Sequence, residues 1–200
     1  MTQHASRFTR LFPRVALTLI LSLSMAGGAH AIGLGLYHAT GSAKVGVDGG
    51  NDIDVTHGNF GFALDTNVAK RSLFNYRLGL ESGEVEYGSV SFNESAMNHD
   101  FGFGIVRTRA MRLWAGPRLR IAVQDEGDHS AFGIGVGLNL GLNVHLGDHF
   151  SLFANAVHQE MQYSRSTSGV GYSSWENDVD SEQTTQFINV GVMLRIRDTY

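Results

Sequence analysis

The groups in this sequence that are most able to do chemistry are the side chains of arginine, aspartate and glutamate. They occur in segments where apolar residues alternate with polar or small ones. Arg118 and Arg120 are two residues apart, as are Arg195 and Arg197, and in an extended strand this spacing puts both side chains on one face. The full set consists of Asp65, Arg77, Glu81, Asp100, Arg112, Arg118, Arg120, Arg195 and Arg197. Buried charges persist when they are paired, so the set predicts an internal salt-bridge network. Glycines beside the arginines would leave space for the alternative, a narrow arginine-lined pore that favours anions.

Most acidic residues outside that set are grouped in four segments. They are Asp48, Asp52 and Asp54, then Glu84, Glu86 and Glu94, then Asp125, Glu126 and Asp128, and finally Glu176, Asp178, Asp180 and Glu182. Lys44 and Arg165 are the basic residues that offset them. The segment DGGNDID, Asp48–Asp54, places oxygen ligands around glycines as calcium loops do. It occurs once and lacks EF-hand spacing, so we favour a solvated turn, and the scattered histidines show no ligand spacing for zinc.

The first 31 residues have the parts of a secretory signal peptide. Three arginines precede an apolar segment that runs from Val15 to Met25, and Ala29-His30-Ala31 supplies a small-x-small cleavage site. The apolar run is shorter than the roughly 20 residues that a spanning helix needs, which disfavours an uncleaved anchor. We therefore expect residues 1–31 to be removed and residues 32–200 to form one domain.

Composition excludes several classes of protein. The signal segment holds three of the fifteen basic residues and none of the nineteen acidic ones, so the remaining chain is more acidic than the full-length charge of −4. An acidic domain argues against a nucleic-acid partner. With no cysteine there is no disulfide framework. No later segment has 18 consecutive apolar residues, which excludes a helical membrane protein.

The elements that must position the arginines are predicted by a period of two. Between Ala131 and Asp148 an apolar residue at every second position alternates with glycine, asparagine or histidine, which indicates a β-strand. In Phe150–Tyr163 the phase is ambiguous, because Phe153 and Val157 are out of step with Phe150 and Leu152. The eight predicted strands are Ile32–Thr40, Asn59–Asp65, Phe74–Glu81, Asp100–Ile105, Arg112–Gln124, Ala131–Leu146, His149–Tyr163 and Phe187–Arg197.

Links between these strands alternate in length. Those at Thr66–Arg71, Arg107–Met111 and Gly147–His149 are short, those at Gly41–Val55, Ser82–Asn98 and Ser164–Thr184 are long, and Asp125–Ser130 is intermediate. Short periplasmic turns with longer extracellular loops are typical of an outer-membrane barrel. The non-apolar faces carry glycine, asparagine and arginine, which suit a narrow barrel interior better than the solvated face of a lipocalin-like soluble barrel. Pro117 lies within a strand and predicts a bulge or a break in pairing.

The chain resembles the small eight-stranded outer-membrane proteins of Gram-negative bacteria, of the OmpA and OmpX type. The most specific element is the ending FINVGVMLRIRDTY, since the aromatic C-terminal residue Tyr200 is similar to the signal read by the barrel-assembly machinery. Tyr replaces the commoner Phe, and Asp198 is in phase with the apolar residues. The resemblance implies an eight-stranded antiparallel transmembrane β-barrel in the cell outer membrane, monomeric, without a cofactor. Its partners would be membrane lipid, lipopolysaccharide and, during insertion, the assembly machinery.

An enzymatic role is tested by a second resemblance. Lipid A deacylases, which are similar in size, use a His-x-Ser pair with a Glu, and His149-Phe150-Ser151 with Glu160 resembles that set. In the barrel model His149 lies at a periplasmic turn, whereas that chemistry belongs near the outer leaflet. We therefore predict a non-enzymatic protein with a structural or surface-interaction role through its acidic loops, and keep the anion-favouring pore as the alternative.

Overall fold

The computed structural model describes residues 32–45, 53–66, 73–126, 129–167 and 181–196. They form eight strands: β1 (Ile32–Val45), β2 (Ile53–Asp65), β3 (Phe74–Tyr87), β4 (Val90–Arg107), β5 (Met111–Glu126), β6 (His129–His145), β7 (Phe150–Thr167) and β8 (Ser181–Ile196). The predicted signal peptide, Arg197, Asp198 and Tyr200 lie outside the described residues. Each strand pairs antiparallel with the next, and β8 pairs with β1, which closes the barrel. The predicted fold class is confirmed.

The number of strands and their stagger together set the width of this barrel. Following the register partners once around from Leu34 on β1 leads back to Lys44 on the same strand, ten residues further along. A barrel of eight strands with such an offset has tilted strands and an interior that side chains can fill. Among the described residues no helix is long and apolar enough to cross a membrane.

Apolar side chains point outward and form a belt around the lower part of the barrel. We use "lower" for the end that holds Ile32 and the turn at residues 108–110, and "upper" for the opposite end. On β6 the outward residues include Leu138, which is 68% exposed. The outward face turns polar above Phe60 on β2 and above Ile188 on β8. The phase that the sequence left open on β7 is resolved, since Phe153 and Val157 are buried inside the barrel.

Strands continue well above the apolar belt. The predicted long link Ser82–Asn98 is instead a hairpin in which Tyr87 and Val90 are joined by Gly88 and Ser89. Gly88 has a φ of +61°, the left-handed conformation that two-residue hairpins require. The link Asp125–Ser130 is shorter too, because β5 reaches Glu126 and β6 begins at His129. In these upper segments polar residues occupy both faces, so apolar and polar residues do not alternate. The sequence pattern therefore underestimated the length of these strands.

Pro117 interrupts the barrel wall on one side. Between β4 and β5 the register runs to Asp100 opposite Arg118 and resumes at Phe103 opposite Ala115, so Phe101 and Pro117 are not partners. Pro117 remains opposite Leu138 on its other side. The register then shifts by one residue between Gly104 and Val106. The break predicted from the missing N–H of proline is therefore present.

Candidate functional site: the charged barrel interior

Two ion pairs lie in the lower half of the interior. Arg118 donates from Nε to Asp100 Oδ1 at 2.6 Å and from Nη2 to Asp100 Oδ2 at 2.9 Å. Arg77 donates to Asp65 Oδ2 from Nη2 at 3.0 Å and from Nε at 3.2 Å. All four residues are buried, and each pair consists of register partners on neighbouring strands. The contact of Arg118 with both oxygens of Asp100 is bidentate, which fixes orientation as well as charge.

A larger cluster lies above these pairs. Arg120 donates from Nη1 to Glu81 Oε2 and from Nη2 to Glu94 Oε1, each at 2.5 Å, and from Nη1 to Asn98 Oδ1 at 3.0 Å. Glu94 Oε1 also accepts from Asn59 Nδ2 at 2.9 Å. We call Glu81, Glu94 and Arg120 the upper charge cluster. A carboxylate with several donors is well compensated for its loss of water.

Glu94 corrects the prediction that it belongs to an acidic outer loop. It is 1% exposed and points into the barrel from β4. Its other oxygen, Oε2, accepts from Gln124 Nε2 at 3.1 Å, and His57 Nδ1 lies 3.5 Å from Oε1. Glu94 is in phase with Asn98 and Asp100, so its spacing from those residues was the available signal. It was missed because β4 was predicted to begin only at Asp100.

Side chains from opposite walls meet across the interior. Arg77, from β3, donates from Nη2 to Asn143 Oδ1 on β6 at 3.1 Å and from Nη1 to Asn155 Oδ1 on β7 at 3.2 Å. Its guanidinium carbon lies 4.6 Å from the ring centre of Phe153. Higher up, Arg120 from β5 lies 4.8 Å from the ring centre of Phe187 on β8. These contacts span the cross-section at two levels.

Glycines inside the barrel accommodate large side chains. A Cβ at Gly141 or Gly102 would overlap the ring of Trp114, and one at Gly61 would overlap the ring of Tyr37. The same holds for Gly133, which faces the ring of Tyr163. The expectation that the glycines leave space beside the arginines is therefore wrong for these positions. The ring that fills each position also explains why no larger residue stands there.

A pair of glycine substitutions tests this packing. Gly141→Ala should destabilise the folded barrel by about 1–3 kcal/mol, because the added Cβ overpacks the site against the Trp114 ring. Gly58→Ala is the matched control, since a Cβ at Gly58 has nothing within 4 Å. Urea unfolding of both variants in lipid vesicles gives the free energy of unfolding. Equal stabilities would contradict the close fit between Gly141 and Trp114.

The lower rim holds two more of the predicted interior arginines, Arg112 and Arg195. Arg112 donates from Nη2 to Asn75 Oδ1 at 3.2 Å, and Arg195 donates to the carbonyl oxygen of Gly147. His145 Nδ1 lies 2.9 Å from Ser151 Oγ, and both residues are buried. Ser151 therefore contacts His145 rather than the histidine of the His-x-Ser sequence.

The residues considered for a deacylase do not come together. His149 is exposed in the turn below β7, and Ser151 points into the barrel. Glu160 is exposed on the outward face of β7, nine residues further up the strand. A nucleophile and its base must be within hydrogen-bond reach, so the arrangement does not support catalysis by this set. Within the described part of the chain, no three His, Asp or Glu side chains could jointly hold a metal ion.

The acidic residues of the upper rim are described in part. Asp54, Glu84, Glu86, Asp125 and Glu182 are exposed on strands rather than in loops. Glu86 Oε2 accepts from Thr56 Oγ1 at 3.2 Å. Lys44 is exposed at the same end. The other members, Asp48, Asp52, Asp128, Glu176, Asp178 and Asp180, lie outside the described residues, as does most of the DGGNDID segment; Glu126 is described by its backbone alone.

Comparisons with solved structures identify the fold. The outer membrane protein OprG from Pseudomonas aeruginosa is similar with a TM-score of 0.51 at 10% sequence identity, over 84% of this chain and 97% of that one. The outer membrane protein AlkL, solved by solid-state NMR in lipid bilayers, gives a TM-score of 0.53 at 10% identity, over 86% and 93%. No protein-family model matches the sequence, and no curated protein matches it. The chain thus has the fold of small eight-stranded outer-membrane β-barrels.

Proposed function

We propose that this protein is an integral outer-membrane barrel with a sealed interior, which acts through its outer surface. The main support for this proposal is the barrel interior, where paired charges and aromatic rings from opposite walls are in contact. A closed sheet satisfies its backbone groups internally, as a membrane-spanning sheet must. The outward apolar belt supplies the lipid-facing surface. Its neighbours in fold are outer-membrane proteins, which supports this location for the chain.

The ion pairs argue for a seal rather than for a pore. An anion entering the barrel would have to displace a carboxylate from an arginine, because Arg118 is engaged by Asp100 and Arg120 by both Glu81 and Glu94. Within the low-dielectric wall such a pair exchanges only at high cost. The arginines therefore serve to hold the walls together. We infer that they stabilise the barrel and do not select ions.

The acidic upper rim is the surface through which the protein would act. Glu84 and Glu86 on β3 lie opposite Asn93 and Ser91 on β4, so no basic residue on β4 neutralises them. A surface of one sign attracts partners of opposite charge and accelerates their encounter. We propose a cationic partner, or one that carries bound cations, at this rim.

Ion conductance decides between the seal and the pore. The protein refolded into a planar bilayer should show no stepwise current under a salt gradient, while its shifted gel mobility without heating demonstrates a folded barrel. A general porin inserted in the same bilayer is the control for detection. Steady openings with an anion-selective reversal potential would overturn the seal and establish the pore.

A further inference from the structure

A crevice opens on the outer wall of the lower barrel, between β3, β4 and β5. Its volume is about 450 Å³. Its outward walls are formed by Phe74, Tyr76, Phe101, Phe103, Ala115 and Pro117. Thr66, which follows β2, lies at its lower end, and Asn75 contributes to its floor. The interior charge network uses none of the outward residues.

The crevice exists because the ladder is interrupted at Pro117. Pro117 has no N–H to donate to β4, and the register there skips Phe101 and Gly102 on one strand and Gly116 and Pro117 on the other. The carbonyl oxygen of Phe101 instead lies against Gly116, where a Cβ would overlap it. Ala115 adds only a methyl group beside this gap. The surface is therefore recessed where a regular strand would fill it.

Aromatic rings give the crevice apolar walls that face outward. Phe74 and Phe103 pack edge to face at a centroid distance of 5.4 Å, and Tyr76 and Phe101 are 5.3 Å apart. Phe74 is 63% exposed and Phe101 is 50% exposed. These rings belong to the apolar belt. In a bilayer, hydrocarbon is what such a recess would contact.

Basic residues lie below the crevice, at the lower end of the same strands. The lower ends of β4 and β5 meet at the turn 108–110, where Arg107 and Arg109 are exposed. Exposed arginines at the end of the belt favour a phosphate.

We propose that this crevice binds one acyl chain of an anionic phospholipid, with the phosphate near Arg109. The proposal rests on the membrane insertion inferred above. The apolar walls fit the chain, and the exposed Arg109 fits the phosphate. A second barrel would present a convex wall, which does not enter a concave recess.

Photolabelling from within the bilayer tests the site. The protein is refolded into phosphatidylglycerol or phosphatidylcholine vesicles that contain a trace of the same lipid with a photoreactive acyl chain, and labelled peptides are mapped by mass spectrometry. Labelling of the segment around Phe101 and Pro117 should exceed that of β7 and β8 several-fold, with more labelling from phosphatidylglycerol.

Replacing either of two alanines by tryptophan gives a matched pair of variants. Ala115→Trp fills the crevice and should abolish the excess labelling. Ala154→Trp should leave it unchanged, because Ala154 faces outward on β7, opposite Leu142 and Val190 in the apolar belt. Arg109→Gln should reduce the preference for phosphatidylglycerol and leave labelling by phosphatidylcholine as it was.

Three results would overturn the proposal. Uniform labelling around the belt means that lipid contacts the barrel without a specific site. Crosslinked dimers joined at the crevice mean that a second copy occupies it. Labelling that is absent from the whole belt means that the barrel does not insert, so the proposed function fails as well; the first two results leave that function intact.

Discussion

Arg120→Ala should lower the free energy of unfolding by about 3–5 kcal/mol, because removing one partner leaves the other charges buried without compensation. Two carboxylates, Glu81 and Glu94, lose their cation in this variant. Lys44→Ala is the control for removal of a positive charge from an exposed site, and a change within about 0.5 kcal/mol is expected there. Urea unfolding in lipid vesicles, followed by gel mobility without heating, measures both variants.

The charge effect can be separated from the loss of packing. In Arg120→Ala combined with Glu81→Gln and Glu94→Gln, no uncompensated charge remains in the upper charge cluster, so part of the stability should return. A triple variant as unstable as Arg120→Ala would assign the loss to packing. An Arg120→Ala protein of unchanged stability that conducts anions differently would contradict the seal and favour the pore.

Trp114→Ala should cost about 3–5 kcal/mol, the range for truncating a buried aromatic residue. The Trp114 side chain is fully buried and occupies the space that Gly102 and Gly141 provide. The guanidinium carbon of Arg77 lies 5.2 Å from the Trp114 ring, so truncation also removes a cation–π contact. The same urea titration in vesicles gives the free energy of unfolding.

Trp114→Phe removes less of the side chain than Trp114→Ala and serves as the comparison. It keeps an aromatic face towards Arg77, and the indole Nε1 has no acceptor among the described residues, so no hydrogen bond is lost. Trp114→Phe should therefore cost clearly less than Trp114→Ala. Equal losses from the two variants would mean that the indole contributes something other than volume and its ring face.

Alternation predicted which side faces inward for the strands other than β7, since a period of two follows from backbone geometry alone. It placed Arg77, Arg118 and Arg120 on the inner face without any knowledge of partners. On β7 the pattern was ambiguous, because a packed interior also accepts apolar residues such as Phe153 and Val157. Which arginine meets which carboxylate was not accessible, since it depends on the register between strands.

The upper barrel shows where sequence patterning fails. Outward residues Asn93 and Ser95 flank the inward Glu94 on β4, so polar side chains occur on both faces and the alternation has no contrast. The hydrogen-bond ladder continues there regardless, because it is made by backbone groups. The length of β3 and β4, and with it the burial of Glu94, therefore required the structure. The break at Pro117 was predictable because proline lacks a donor at any position.

Closure of β8 onto β1 has a kinetic consequence. The pairs Leu34–Leu194 and Ile32–Ile196 join the two ends of the described chain, and contacts between residues so far apart in sequence form slowly. A barrel that has not closed would present unpaired edges on both terminal strands, and such edges favour aggregation. We therefore expect the unclosed barrel to need protection from aggregation, and assisted folding to act most strongly on the pairing of β8 with β1.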